Sequence, residues 1–236
     1  MIDPTQYSSC RDLFAEYQIT LTNAQHEKLR IYEEMLIDES QRQNITAVRG
    51  SSEIWIRHFL DAAYLMRFLP AEGAVLDIGT GGGIPAIPLA IMRPALTVTM
   101  LDSEHNKIAF CQRAVDRLQL HASAVSGRAE ELAYNPQYRG QFDAAVSRAM
   151  ANGSMLTELS VPFLKLDGYL LAMKGKQYDP ETERFGSAAA ALGCSCDEPL
   201  GYMLCGEQKY LIRVHKNAKT PEQYPRRFAK IKRSPL

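Results

Sequence analysis

The apolar positions of the chain change period near residue 70. Before that point they recur at helical spacing. Thr22 followed by Gln25 reads as a capping box, opening a helix through about Gln41 with Leu29, Tyr32 and Leu36 on one face. In SSEIWIRHFLDAAYLMRFL, residues Trp55, Phe59, Ala62, Met66 and Leu69 step by four, three, four and three, which makes a core stripe. Arg57 and Asp61 fall on the other side one turn apart, the spacing of a surface ion pair. From Ala74 short apolar runs alternate with helical stretches. Strands are expected at 74–78, 96–101, 122–126, 142–147, 168–173, about 200–205 and 208–214, and helices at 85–92, 104–119, 152–165 and 180–192. Continuous apolar strands separated by helices imply a parallel sheet covered on both faces. The last two strands have no helix between them, so an antiparallel hairpin is expected at one edge. The expected fold is therefore α/β: a doubly wound, mostly parallel sheet of seven strands over residues 71–216. A helical extension (1–70) precedes it and a basic tail (217–236) follows. There is no internal repeat and no low-complexity segment.

Composition changes this picture little. At 236 residues, 46% hydrophobic and 23% charged, the chain fits one domain with an appendage. MIDPTQYSSCRDLF lacks a basic stretch followed by an apolar one, so no signal peptide is expected. No apolar run approaches the roughly 20 residues that span a bilayer, which argues against a membrane protein. Five cysteines without an export signal suggest reduced thiols in the cytoplasm. Cys194, Cys196, Cys205 and His215 match no paired zinc knuckle and read as small apolar thiols beside an ordinary imidazole; no metal is expected. Charge is more telling. The formal net charge is zero, yet residues 1–64 hold ten acids against six Lys/Arg, while Lys209–Leu236 holds nine Lys/Arg against Glu222 alone. One end of the molecule is basic.

The candidate chemistry lies in AVLDIGTGGGIPAIPLA, residues 74–90, a strand running through a glycine loop into a helix. A P-loop would require Gly-Lys-Ser/Thr, but Ile84 and Pro85 follow Gly83. A dinucleotide fingerprint can be laid on Gly81, Gly83 and Ala86, yet Pro85 and Pro88 remove N–H donors that a pyrophosphate needs. A ligand without phosphate fits better. Asp77 at the strand end, two residues before Gly79, would suit an ammonium group. Asp102 ends the next strand, where a carboxylate can accept the hydroxyls of a ribose. An ammonium, a ribose and a positive centre describe S-adenosyl-L-methionine.

The chain also resembles the bacterial 16S rRNA guanine-N7 methyltransferases, known too as glucose-inhibited division protein B. The likeness runs through NITAV (44–48), RHFLDA (57–62), DIGTGGGIP (77–85), MLDSEHNKIAF (100–110), GRAEEL (127–132), SRAMA (147–151), LLAMKGKQ (170–177) and YPRR (224–227), in family order. It implies a Rossmann-like class I methyltransferase, S-adenosyl-L-methionine as cofactor, and methylation of guanine 527 in 16S rRNA. It also implies cofactor contacts at Gly79 and Ile84, at Asp102, Ser103 and Glu104, at Ala129 and Glu130, and at Arg148; Gly81, the second glycine of the loop, is a cofactor candidate from the motif itself. A guanidinium is repelled by a sulfonium, so Arg148 is expected on the methionine carboxylate, on an RNA oxygen, or in an ion pair with a nearby acid. Two departures stand out. Ile84 occupies a position where the family more often has Phe or Leu, and the tail after Arg227 lacks the usual glycine and proline.

No catalytic acid or base is named. NPQY at 135–138 precedes the strand 142–147 and reads as a turn, not as an amino-methyltransferase motif, and no Pro-Cys dipeptide supplies a nucleophile for pyrimidine carbon. Guanine N7 needs neither, because it carries a free lone pair. The major groove of duplex RNA is too narrow for side chains, so the target must sit in a loop or leave its stack. Arg226, Arg227, Lys230, Lys232 and Arg233 around Tyr224 and Phe228 are the RNA-binding candidates, with Arg57 and His58 behind them. The expected partner is 16S rRNA or the small ribosomal subunit, and a monomer is expected. A small-molecule or protein methyltransferase, a non-catalytic rRNA assembly factor and a nicotinamide oxidoreductase remain as alternatives.

Overall fold

The computed structural model describes residues 10–48 and 50–236. Most of the opening stretch read for a signal peptide lies outside them. Four short or medium helices come first: α1 (Cys10–Glu16), α2 (Asn23–Arg42), α3 (Ser51–Ile54) and α4 (Asp61–Leu65), with a π-helical turn at Trp55–Leu60 between the last two. The Thr22–Gln25 capping box is formed in both directions, so two otherwise orphaned N–H groups at the start of α2 are satisfied. Leu29, Tyr32 and Leu36 are fully buried on its inner face.

The sheet follows. Its strands are β1 (Gly73–Ile78), β2 (Leu96–Asp102), β3 (Ala122–Ser126), β4 (Phe142–Arg148), β5 (Leu164–Lys174), β6 (Cys194–Cys196), β7 (Leu200–Leu204) and β8 (Glu207–Lys216). Between them lie α5 (Ala86–Met92), α6 (His105–Leu118), α7 (Ala129–Leu132), α8 (Gly153–Ser160), α9 (Pro180–Glu183) and α10 (Phe185–Ala191), and α11 (Phe228–Arg233) ends the chain. The order is β3-β2-β1-β4-β5-β8-β6, with β7 also paired to β8. Strands β1 to β5 are parallel, and β8 runs antiparallel to β5. The chain reverses direction across the sheet at β1, between β2 and β4, which opens a crevice at the carboxyl ends of those strands.

One expectation needs correction. The sheet has eight strands rather than seven: the one expected at about 200–205 is present as β7, and a short strand, β6, precedes it along the same edge. β6 pairs with residues 214–216 and β7 with 207–211 of β8, on the edge that β5 leaves free. Pro199 lies in the gap and has no N–H to give the ladder. The helical extension packs into the same apolar cluster as the sheet, from Leu13 and Phe59 through Val98 to Leu211.

Candidate active site

A cavity of about 510 Å³ occupies the crevice. Its floor is the glycine loop after β1. Gly79 has φ +71° and a Cβ there would lie 2.6 Å from Met150 Cγ, so this position accepts no side chain without displacement. At Gly81, also at positive φ, nothing lies within 4 Å of where a Cβ would stand. The loop thus presents bare backbone to whatever fills the cavity. Tyr32 of α2 props it from behind, donating to the Gly82 carbonyl at 2.5 Å.

Five of the six N–H groups from Gly79 to Ile84 are already spent, that of Gly82 being the exception. Gly79 and Thr80 donate to the Leu101 carbonyl, Gly83 and Ile84 to that of Thr80, and Gly81 to Asp102 Oδ2 at 2.9 Å. A pyrophosphate would find no nest of free donors here. The walls supply acceptors instead. Asp102 also takes the Glu104 N–H at 2.9 Å on Oδ1, which fixes the carboxylate while leaving lone pairs on both oxygens. Glu130, with its side chain 10% exposed, is held by Arg128 Nε at 2.6 Å.

Nine of the ten cofactor candidates line this cavity: Gly79, Gly81, Ile84, Asp102, Ser103, Glu104, Ala129, Glu130 and Arg148. Asp77 does not. It lies fully buried beneath the loop, where Oδ2 accepts from Thr80 Oγ1 at 2.7 Å and Oδ1 has no hydrogen-bond partner. Burial pushes its carboxyl up to about 7. An unfolded aspartate titrates near 4 (about 3.9), so between about pH 4 and 7 the folded state keeps a proton that the unfolded state has lost. Stability therefore declines as pH rises through that window. Asp77→Asn is expected to flatten this decline, read as melting temperature between pH 4.5 and 8; a parent profile parallel to the variant's would contradict it.

Arg148 closes the far end. Its Nη1 donates to the Arg57 carbonyl at 2.6 Å and lies 3.6 Å from Asp61 Oδ2, and its Nη2 lies 2.9 Å from His58 Nδ1. A guanidinium only donates, so His58 Nδ1 accepts and its Nε2–H donates to Thr46 Oγ1 at 2.8 Å. Burial, reinforced by the positive charge of Arg148, pushes the His58 imidazole down to about 3. His58 is therefore a neutral strut between the cavity wall and Arg148.

Three further expectations change. The Arg57–Asp61 surface pair is absent: Asp61 is buried under β7 and β8, bonded to Lys209 at 3.0 Å and Tyr202 at 3.3 Å, while Arg57 pairs with Glu207 at 2.8 Å. The hairpin covers a helix face whose spacing alone looked solvated. His58, 3% exposed, is internal and cannot be a first point of approach for RNA. Arg226 is half-buried, its side chain 15% exposed, and binds Glu158 through Nε at 2.8 Å, Nη2 at 2.6 Å and its own backbone N–H at 2.9 Å. That clamp docks the tail: Ile231 is fully buried, and Phe228 lines the cavity with Arg128 stacked 5.0 Å from its ring. Arg227, Lys230, Lys232 and Arg233 stay exposed. The turn at NPQY is present, closed by Asn135 Oδ1 on the Gln137 N–H.

Sequence reasoning missed Thr46, Met150, Met155, Leu159 and Phe228 on the cavity wall. NITAV and SRAMA signalled Thr46 and Met150 without a role, and Phe228 was expected to stack on RNA bases, not to wall this cavity. Among the described residues, no group of three His, Cys, Asp or Glu is placed to hold a metal, and no helix is long and apolar enough to cross a membrane.

Comparison with known proteins agrees with this geometry. The family model for rRNA small subunit methyltransferase G matches residues 25–197. Ribosomal RNA small subunit methyltransferase G of Leuconostoc citreum is 37% identical over 224 residues, covering 92% of this chain and 94% of that one. The protein of the same name from Streptococcus equi subsp. zooepidemicus is 38% identical over 221 residues, covering 92% and 93%. Among solved structures, a SAM-dependent methyltransferase from Aquifex aeolicus superposes with a TM-score of 0.54 at 15% identity, over 70% of this chain and 93% of its own. TYW2 of M. jannaschii in complex with AdoMet gives 0.52 at 13% identity, over 66% and 73%. The structural likenesses bear on the fold, which is the Rossmann-like fold of these methyltransferases. With a matched family model over most of its length and relatives above the level where descent is plain, the chain belongs to the rRNA small subunit methyltransferase G family.

Proposed function

We propose that the protein transfers a methyl group from S-adenosyl-L-methionine to N7 of a guanine in 16S ribosomal RNA, guanine 527 in that RNA's numbering, as a cytoplasmic enzyme acting on the small-subunit RNA. Family membership supports the reaction. The observation that carries the choice of cofactor is the glycine loop with five of its six N–H groups already bonded and a carboxylate, Asp102, beside it. Such a floor disfavours phosphate and suits a nucleoside with a cationic centre.

The residues present fit that group. Asp102 would take the ribose hydroxyls, Ala129 and Glu130 with Phe228 would enclose the adenine, and Gly79, Gly81 and Ile84 would meet the remainder from below, with Ser103 and Glu104 at the rim. When bound, the cofactor supplies an electrophilic methyl group on a sulfonium. The protein need not remove a proton from the target, since N7 is an acceptor with a free lone pair. Its task is to hold that nitrogen in line and exclude water, an alignment that can lower a barrier by roughly 7–11 kcal/mol. Met150, Met155 and Leu159 make the wall apolar where such exclusion is needed.

Arg227, Lys230, Lys232 and Arg233 would lie along RNA phosphates. Changing Arg227, Lys230 and Lys232 together to alanine is expected to reduce the slope of log affinity against log salt by about 2, near 0.7 for each single-strand phosphate no longer neutralised. An unchanged slope would remove the tail from the RNA interface. The reaction itself is tested by incubating protein, labelled cofactor and small-subunit RNA, then mapping label by reduction and aniline cleavage, which breaks the strand at N7-methylguanine. A single cleavage is expected. Label in protein or small metabolites, with none in RNA, would overturn the proposal.

A further inference from the structure

A second cavity of about 300 Å³ opens beside the first at the same edge of the sheet. Arg57 and Asp61 wall it from the helical extension, Arg148 and Lys174 from the ends of β4 and β5, and Glu207 and Lys209 from the start of β8. Arg148 and Ala149 line both cavities, so the two adjoin there. A group held in the second cavity meets the first one there, beside the Arg148 guanidinium. Four cations stand against Asp61 and Glu207 on the wall and Glu183, which pairs with Lys174 at 2.9 Å; the one positive charge left over suits an anionic nucleotide.

The two carboxylates are not equivalent. Asp61, 4% exposed at its side chain, is occupied by Lys209, Arg148 and Tyr202. Glu207 is 43% exposed, and its pairing with Arg57 through Oε1 is the one ion pair of its carboxylate among the described residues. Its acceptor capacity is the part of this wall still open to a ligand that donates.

We infer that the second cavity seats the target guanine and that Glu207 reads the base's Watson–Crick edge. This rests on the methyl-transfer reading above. The chemistry orients the base. N7 must face the cofactor cavity, and the atom next to it on guanine is the O6 acceptor, which Arg148 meets with an N–H donor. On adenine the same position carries an amino donor, which would face a guanidinium that can only donate. With N7 and O6 turned toward Arg148, the N1–H and N2–H₂ donors of guanine face the wall beyond it. There a carboxylate accepts both. Arg148 thereby selects against adenine, and Glu207 selects for the 2-amino group.

Inosine, which is guanosine without that amino group, tests the assignment. Methyl transfer is measured as kcat/KM on small-subunit RNA carrying guanosine or inosine at the modified position, for the parent, Glu207→Gln and Glu207→Ala. The parent is expected to prefer guanosine by about 10-fold or more, within the range set by one well-formed base contact. Glu207→Ala is expected to lose that preference to within about twofold, through a fall on guanosine with little change on inosine, and Glu207→Gln, which keeps one acceptor oxygen, to lose less of it. Their calorimetric affinity for S-adenosylhomocysteine should match the parent's. A parent indifferent to the amino group, or an alanine variant that keeps its preference while slowing both RNAs alike, overturns the seat alone. A parent that methylates no RNA overturns the methyl-transfer reading and the seat with it.

Discussion

Replacing Arg226 with alanine is expected to cost about 3–5 kcal/mol of stability, read as a lower midpoint of chemical denaturation. The reason is Glu158, whose side chain on α8 is 0% exposed. Arg226 gives it two guanidinium hydrogen bonds and one from the backbone. The alanine variant retains the backbone N–H but leaves a buried carboxylate without its cation. Removing both partners, as Glu158→Leu with Arg226→Met, should recover much of the loss, since a buried pair is often neutral against a packed apolar one. The effect should spread to the cofactor cavity, because Phe228 lies two residues beyond the clamp and forms part of its wall. Arg227→Ala, one position away but exposed, is expected to stay within about 0.5 kcal/mol of the parent. A variant at Arg226 as stable as that one would show the clamp to be ornamental.

Asp102→Ala is expected to weaken S-adenosylhomocysteine binding by about 30- to 150-fold, near 2–3 kcal/mol, measured by calorimetry. The carboxylate does two jobs. It splints the glycine loop through the Gly81 N–H and orders the turn after β2 through the Glu104 N–H. It also offers the acceptors that ribose hydroxyls need. Asp102→Asn keeps one amide oxygen and the side-chain shape, so its loss should be smaller than that of alanine. RNA affinity without cofactor should be unaffected by either change. A loss under threefold in the alanine variant would move the ribose elsewhere in the cavity.

Much of this architecture was legible because it is written locally. The apolar runs at 74–78, 96–101 and 142–147 became β1, β2 and β4 within a residue or so, and the Thr22 cap opened α2 as its spacing implied. Nine cofactor candidates line one cavity because the acids and the glycines all sit at strand ends, where a doubly wound sheet forms its crevice. What escaped was tertiary. Nothing around Asp61 signals that a hairpin some 140 residues onward will cover it, and helical spacing paired it with Arg57 instead. Arg226 resembles its neighbours in a basic run, and only the position of Glu158 on the inner face of α8 sets it apart. The break in the edge strand turned on Pro199, whose effect depends on which side of the strand is paired. Asp77 was placed correctly along the chain but one layer too high, since a strand-end carboxylate faces the loop or the cavity depending on a rotation that sequence does not record.

The Asp61 cluster has a consequence for how the molecule assembles. It ties residues 141 and 148 positions apart, whereas the Gly81–Asp102 bond closes only 21. Short closures form early and long ones late, because chain entropy opposes bringing distant segments together. The glycine-loop floor thus forms ahead of the chamber beside Arg148, and in refolding the chain should protect amides near Gly81 from hydrogen exchange before those near Tyr202.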